Sequence, residues 1–470
     1  MVHHSRSFIE GAISRRLIAF ALPILGASVL QSVNATVNSI WVGRYLGEAA
    51  LVATSIANTV MLLLVGASFG VTFAATILVG QCVGTGQLRQ AKRVVGTSLT
   101  SFATISLVFS IGGLIMSGPL LAFMKTPADS LPLALAYMRV ILLALPSLYL
   151  YISVTAILRG TGESKTPFYF IVLSVVIDIA LNPLFIFGFR PIPRLGIAGS
   201  ALATVMAQSF SFIALLIYLY RRRHPLWLQK DELSMLRVDW AIVGALLRKG
   251  IPMSGHILVL SFSGVLMITL VNRFGVDTAA AYGASLQLWN YIPMPALAVA
   301  AAASAMASQN VGAQKWDRVE SIARIGVVCS VLGTSCMVVA IEILDTRAFE
   351  LFVPAGSHAL YIAGHINSIV TWSWVFSAAS LALFGVTRAT GAVMAPLLIT
   401  VISTLVVRFP LAQTLLDRWQ SEAIWWSFPI SSALEVILAG LYYKHGGWRM
   451  KPLESLVLVG ALGTESTEEL

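Results

Sequence analysis

Asp178 is the side chain whose type and position most clearly point to chemistry. It is the only charged residue in the run 166–189. An ionised carboxylate surrounded by hydrocarbon costs several kcal/mol unless it is paired or hydrated, so such an acid is expected to face a bundle interior or a wet cavity. There it could exchange a proton for an organic cation. Asn182 follows one helical turn later on the same face and can hydrogen-bond either form of the acid.

The same carboxylate and amide oxygens could instead hold Na⁺, because hard cations prefer oxygen ligands. The sequence therefore leaves both H⁺ and Na⁺ open as the ion at Asp178.

Other polar groups lie inside apolar runs and need partners. Glu435, within the last run, is a rival carboxylate that could couple an ion or pair with Arg408. Arg139 lies within the run 130–158 and could neutralise the acid of the run 166–189. Gln287 and Asn290 are groups that lipid would reject, so they are expected to line a central cleft or to bond across helices.

Two aromatic residues are further cavity candidates. Tyr149 and Trp289 could contact an organic cation through their ring faces. Trp and Tyr are also typical of the two bilayer interfaces, so an interfacial position stays open for each.

The elements that carry these residues are predicted to be membrane-spanning helices. The chain is 57% hydrophobic and only 11% charged, whereas soluble domains carry roughly 25% charged residues. Long uncharged runs recur throughout, for example at 17–43, 49–88, 94–124 and 195–220. They lack the alternation of barrel strands, so we expect twelve transmembrane helices in an all-α fold.

The distribution of positive charge predicts the orientation and argues against nucleic-acid binding. The net charge is +10, and Lys and Arg number 22 on one set of predicted loops and tails but 8 on the other. This asymmetry follows the positive-inside rule, so both termini are expected in the cytoplasm, with the protein in the inner (plasma) membrane. The expected parts are an N-terminal tail 1–16, an N-lobe 17–220, a linker 221–249 with an interfacial helix, a C-lobe 250–443 and a C-terminal tail 444–470.

The chain is internally duplicated. Pro23 reappears as Pro252 and Arg44 as Arg273, each 229 positions later, and the motif at 159–162 reappears at 388–391 with the same offset. A constant offset across separated landmarks indicates two copies of one unit. With six spans in each copy, the halves have the same orientation and form parallel repeats, an arrangement found in secondary transporters.

The recurring motifs resemble those of multidrug and toxic compound extrusion (MATE) transporters over about residues 15–450. The matching segments are 34–43 (NATVNSIWVG), 79–81 (VGQ), 158–162 (LRGTG), 181–188 (LNPLFIFG), 196–204 (GIAGSALAT), 309–313 (QNVGA) and 423–431 (AIWWSFPIS). The resemblance implies cation-coupled export of organic, often cationic compounds by alternating access. It also implies that Asn38, Asn34 and Thr204 complete a polar pocket with Asp178, with Na⁺ possible at Asp178, Asn182 and Asn38.

The sequence departs from the family pattern at this pocket. Many members carry an aspartate in the first span where Asn38 stands here. In the fifth span, related proton-coupled members often show Asn and then Asp-Pro four residues later, whereas this chain has Asp178 and then Asn182-Pro183. The resemblance therefore places the coupling role on Asp178.

Three other interpretations compete with an antiporter. A lipid-linked oligosaccharide flippase of the same superfamily is expected to have a strongly cationic cavity, for which only Arg139 is available. An intramembrane enzyme needs clustered acid, base and nucleophile or a metal set, and no such pattern occurs. A membrane-embedded protein without transport activity would leave Asp178 unexplained. We expect a monomeric transporter without a cofactor, with small organic cations and the lipid bilayer as its partners.

Overall fold

The computed structural model describes residues 8–189, 193–344, 346–350, 352–354 and 356–450. Residues 1–7 of the predicted N-terminal tail and residues 451–470 of the predicted C-terminal tail lie outside the described residues. The helices are α1 Ile13–Leu46, α2 Glu48–Gly84, α3 Leu88–Phe123, α4 Leu131–Gly160, α5 Lys165–Phe187, α6 Ile197–Arg221, α7 Trp240–Val271, α8 Val276–Trp289, α9 Met294–Gly312, α10 Trp316–Leu344, α11 Thr346–Phe349, α12 His358–Val370, α13 Ser373–Ala389, α14 Met394–Val401, α15 Phe409–Trp419 and α16 Glu422–His445.

Among the described residues, ten helical stretches are long and apolar enough to cross a membrane, and two bent helix pairs bring the number to twelve if each pair is one span. The pairs are α8 with α9, bent by 40°, and α12 with α13, bent by 43°. Proline explains the first bend, because Pro293 and Pro295 lack the N–H that would continue the helix. The prediction of an all-α membrane protein with two sets of six spans is confirmed.

The first compact unit, called the N-terminal unit below, comprises Gly26–Gly250. It holds α1 from Gly26 onward, α2 to α6 and the first residues of α7. Its buried core includes Met138 and Leu142 of α4, packed with residues of α1, α2 and α3. The predicted N-lobe, 17–220, has different bounds from this unit because the ends of membrane spans define it. The N-lobe stays a prediction.

The second compact unit, called the C-terminal unit below, comprises Met1–Leu25 and Ile251–Leu470. The start of α1 belongs to it because Leu17 and Phe20 are buried with residues of α9, α10 and α13. Before α1, the Arg318 guanidinium donates to the carbonyl oxygens of Phe8 (3.2 Å) and Gly11 (3.1 Å). Asn310 Nδ2 also donates to the Phe8 carbonyl oxygen at 3.1 Å. Backbone carbonyls ahead of α1 are thereby satisfied.

The linker is fixed to α3 within the N-terminal unit. It contains a 3₁₀ helix, Lys230–Leu236, and α7 then begins at Trp240, ten residues before the predicted start of the C-lobe. Glu232 accepts from Lys92 Nζ at 2.6 Å. The Gln229 backbone N–H and then Lys92 hold the pKa of Glu232 below its ordinary value. An interfacial position for this helix stays a prediction.

Candidate functional site

Four neutral side chains surround the carboxylate of Asp178 in the N-terminal unit. Asn34 Nδ2 donates to Asp178 Oδ2 at 2.6 Å and Asn38 Nδ2 donates to the same oxygen at 3.0 Å. Asn182 Nδ2 donates to Asp178 Oδ1 at 3.0 Å, and Thr204 Oγ1 lies 3.1 Å from Oδ1 and 3.3 Å from Oδ2. The structure therefore brings together the five residues that were expected at the coupling site, and their role stays a prediction.

The acid of this pocket is buried, and no positive side chain of the described residues pairs with it. Asp178 is 2% exposed and Asn182 is fully buried. No ammonium or guanidinium group of the described residues forms an ion pair with Asp178, and all its side-chain partners are amides or a hydroxyl. Hydrogen bonds from neutral donors stabilise a carboxylate, but they leave its net charge in place. The charge of an ionised Asp178 is therefore not balanced by any of these partners.

Two further oxygens of the pocket are available to a cation. Asn34 Oδ1 and Asn182 Oδ1 are buried and have no hydrogen-bond partner among the described residues. The Asn38 amide oxygen, by contrast, accepts from Asn182 Nδ2 at 2.8 Å. The amide oxygens without a partner are thus those of Asn34 and Asn182. Of the two amides expected to bind Na⁺ with Asp178, Asn182 has such an oxygen and Asn38 does not.

The local sequence explains how three helices converge on this acid. Asn34 and Asn38 are four residues apart, so they lie on one face of α1. Gly199 of α6 lies so close to α5 that an added Cβ would be 2.4 Å from the carbonyl oxygen of Phe185. Only glycine permits this approach, which supports the placement of Thr204 of α6 beside the acid of α5.

Tyr137 of α4 is a neighbour that the sequence analysis missed. Its phenol lies near Asp178 within the same unit. Tyr149, the expected cavity aromatic on the same helix, is instead 2% exposed, and its hydroxyl donates to the Leu64 carbonyl oxygen at 2.6 Å. Tyr149 is therefore tied to α2 by a satisfied hydrogen bond.

None of the remaining candidates hydrogen-bonds Asp178 in the described part of the chain. Arg139 is exposed and does not pair with the acid of α5 in the described structure. Gln287 and Asn290 are exposed in the C-terminal unit. Trp289 is 3% exposed, and its ring packs against Tyr282 with centroids 5.8 Å apart. Its indole N–H has no acceptor among the residues described.

Glu435 is buried in the C-terminal unit and accepts a hydrogen bond from a hydroxyl. Thr400 Oγ1 donates to its Oε1 at 2.9 Å. The expected partner Arg408 acts on it electrostatically, together with Arg388. The Arg408 Nε, however, donates to Ser431 Oγ at 2.7 Å. Unlike Asp178, Glu435 has guanidinium groups nearby, which fits a packing role.

A second carboxylate cluster in the C-terminal unit was also missed. Glu342 Oε1 accepts from Asn367 Nδ2 at 3.0 Å and from Thr371 Oγ1 at 2.7 Å. Asn367 and Thr371 are buried at the bend between α12 and α13. The sequence signal was an acid one residue beyond the uncharged run 325–341, together with an Asn and a Thr four residues apart.

A family model confirms the duplication. The MatE model matches residues 23–184 and again 252–414, one copy in each half. The chain belongs to the MatE family. Members of this family are transporters rather than enzymes, so the chain is a multi-pass membrane transporter. The enzyme and the non-transporting alternatives are thereby set aside.

Relatives of this MatE-family chain are similar along much or nearly all of its length. It is 34% identical to the probable multidrug resistance protein YoeA of Bacillus subtilis, over 94% of this chain and 96% of the relative. It is 25% identical to an FAD transporter of Shewanella oneidensis, over 66% of this chain and 68% of that protein. Its fold matches the crystal structure of a point mutant of the Vibrio cholerae MATE transporter VcmN with a TM-score of 0.85 and 18% identity, over 93% of this chain and 98% of that one.

Proposed function

We propose that this transporter is an antiporter that exports small organic cations in exchange for H⁺ or Na⁺ by alternating access. The observation that carries the proposal is the uncompensated carboxylate of Asp178. It is 2% exposed and bonded only to neutral donors of the described residues. A buried charge of this kind is stable only with a positive partner. In a transporter, that partner can be the transported ion or the substrate.

Competition for one carboxylate would couple the two fluxes. When a proton or Na⁺ neutralises Asp178, an organic cation loses its main electrostatic attraction. When the ion leaves, the ionised acid attracts the cation again. Each ligand then shifts the populations of two access states by its difference in affinity for them. Exchange follows because one site cannot hold both positive charges at once.

The expected setting follows from the charge distribution. We propose that the protein lies in the inner membrane with both termini in the cytoplasm, because 22 of its Lys and Arg residues lie on the cytoplasmic side of the predicted topology. We also propose that it acts as a monomer. Substrates would then leave the cytoplasm as ions enter.

The test is efflux from proteoliposomes that contain the purified protein. A fluorescent organic cation is loaded, and either a pH gradient or a sodium gradient is imposed without nucleotide. We expect one gradient to drive dye movement and the Asp178→Asn variant to lose that dependence. FAD serves as an anionic comparison, since one relative is named as an FAD transporter. Transport of FAD but not of the cation, or unchanged coupled efflux by Asp178→Asn, would refute the proposed exchange.

A further inference from the structure

An apolar cavity of about 230 Å³ lies in the N-terminal unit, away from the Asp178 pocket. Helices α3, α4 and α6 form one side, and the linker between α6 and α7 covers the other. The helix side chains are aliphatic and include Val95, Leu99, Ile157, Leu216 and Leu219. The cavity is smaller than the roughly 300–1,000 Å³ pockets that hold drug-sized ligands. Its size and lining suit a flexible hydrocarbon chain better than a transported drug.

The linker makes the outer wall and the mouth of this cavity. Leu226 and Trp227 line it, and Leu233 and Leu236 of the 3₁₀ helix contribute side chains that are 54% and 36% exposed. Two contacts from α3 hold the linker in place: the ion pair of Lys92 with Glu232 and a hydrogen bond from Thr100 Oγ1 to the Leu236 carbonyl oxygen at 2.7 Å, so the wall is part of the folded unit. Exposed leucines beside a lined cavity provide an apolar entrance.

Unneutralised arginines adjoin the mouth. Arg221, Arg222 and Arg223 directly precede the lining residue His224, and Arg237 directly follows the lining residue Leu236. All four arginines are exposed, and none forms an ion pair within the described part of the chain. Two nearby acids already have partners: Glu163 lies 3.4 Å from His224 Nε2, and Glu232 pairs with Lys92. The rim therefore keeps an excess of positive charge.

The cavity lies near one end of α4 and α6. Leu219 lies two residues before the end of α6, and Ile157 lies three residues before the end of α4. This end of the unit is the one that the charge asymmetry predicts to face the cytoplasm. Basic pockets between transmembrane helices on that side of a membrane are suited to anionic lipid headgroups.

We propose that this cavity is a binding site for one acyl chain of an anionic phospholipid, whose phosphate is held by Arg221–Arg223 and Arg237. A phospholipid supplies both required parts, a hydrocarbon chain for the aliphatic wall and a negative group for the arginine rim. The bound lipid would stabilise the linker against α3 and α6. It would be a structural ligand, distinct from the transported substrate.

Trp227 provides a probe inside the site. The protein is reconstituted in phosphatidylcholine vesicles that contain either brominated phosphatidylglycerol or brominated phosphatidylcholine, since bromine quenches a nearby indole. Subtracting the signal of the Trp227→Phe variant isolates the contribution of Trp227. We expect the anionic lipid to quench Trp227 at a concentration at least about fivefold lower than the zwitterionic lipid does, because each arginine near an anionic lipid favours binding by roughly that factor.

Variants distinguish the contribution of the arginines from that of the cavity. The triple change Arg221→Gln, Arg222→Gln and Arg223→Gln should abolish the preference for the anionic lipid, and the matched triple change to Lys should retain it. Leu216→Phe fills the cavity and should reduce quenching of Trp227 by both lipids.

Val154→Leu is a milder filling change, should Leu216→Phe fail to fold. Equal quenching by the two lipids in the unchanged protein would show ordinary lipid contact and overturn the proposal. Undiminished quenching in a folded filling variant would overturn it as well, and so would a Trp227 that neither lipid quenches. These readouts do not depend on efflux, so their failure is distinguishable from failure of the proposed antiport.

Discussion

Moving the negative charge within the pocket tests the role of Asp178 most directly. Asp178→Asn keeps the size of the side chain but removes its charge. Loss of one partner of a buried ion pair costs about 3–5 kcal/mol, which corresponds to about two to three and a half orders of magnitude in the affinity for an organic cation. We expect the variant to fold, because the side-chain volume is unchanged and the surrounding groups are neutral.

The second step restores a carboxylate to the pocket, now on α1 instead of α5. Asn38 Nδ2 lies 3.0 Å from Asp178 Oδ2, so Asn38→Asp in the Asp178→Asn background places a carboxylate in the same pocket. The new acid stays within reach of Asn182, which is already bonded to the Asn38 amide oxygen at 2.8 Å. It loses the Thr204 hydroxyl, which bonds the original acid. One lost charge-assisted hydrogen bond, about 1.5–3 kcal/mol, leaves the affinity about ten- to a hundredfold below that of the unchanged protein.

The assay is equilibrium binding of a fluorescent organic cation to purified protein, followed by gradient-driven efflux for each variant. Size-exclusion chromatography checks that the variants are folded. The reasoning is refuted if Asp178→Asn binds the cation as tightly as the unchanged protein. It is also refuted if the folded double variant binds no better than Asp178→Asn, since charge in the pocket would then not be what the cation recognises.

Three further changes test parts of the fold. Gly199→Ala should destabilise the protein by about 1–3 kcal/mol through overpacking and should also weaken efflux, as measured by thermal unfolding and by transport. Gly112 has open space around it, so Gly112→Ala should do neither. Equal effects of the two changes would contradict the close approach of α5 and α6. Arg318→Gln should speed hydrogen exchange at residues 8–12, whereas Arg89→Gln, 229 positions earlier in the other repeat, should not. Unchanged exchange in Arg318→Gln would contradict the contact between Arg318 and the carbonyl oxygens ahead of α1. Because the pKa of Glu232 is lowered from 4.5, its stabilisation of the linker should be present above that pH and be lost as the pH falls through the lowered pKa. The protection of the amides at residues 230–239, taken as the exchange rate relative to the intrinsic rate at each pH, should therefore fall at acid pH. An equal fall in Glu232→Gln would show that another group is responsible.

The sequence predicted the fold well because lipid leaves few choices. Uncharged runs in a membrane must be helices, and the constant offset between repeats fixed how those runs are grouped. The bends were harder to foresee. Proline marks the break between α8 and α9, but the break at Thr371 has no proline and coincides with a hydroxyl that bonds Glu342.

The site was predictable only in part. Asp178 and Asn182 share a helix, so their spacing alone places them together. Asn34 and Thr204 lie on other helices, and only the family pattern indicated that they belong to the same pocket. Glu342 was missed because its partners lie on another helix, where spacing within one helix gives no information.

A single acid in the Asp178 pocket has an energetic consequence for the proposed exchange. One carboxylate carries one charge, so one entering H⁺ or Na⁺ would replace one departing monovalent cation, and no net charge would cross the bilayer. The membrane voltage, which contributes about 2.3 kcal/mol for each charge moved through 100 mV, would then add nothing. With H⁺ as the ion, the steepest drug gradient that the protein could sustain is about tenfold for each unit of pH difference.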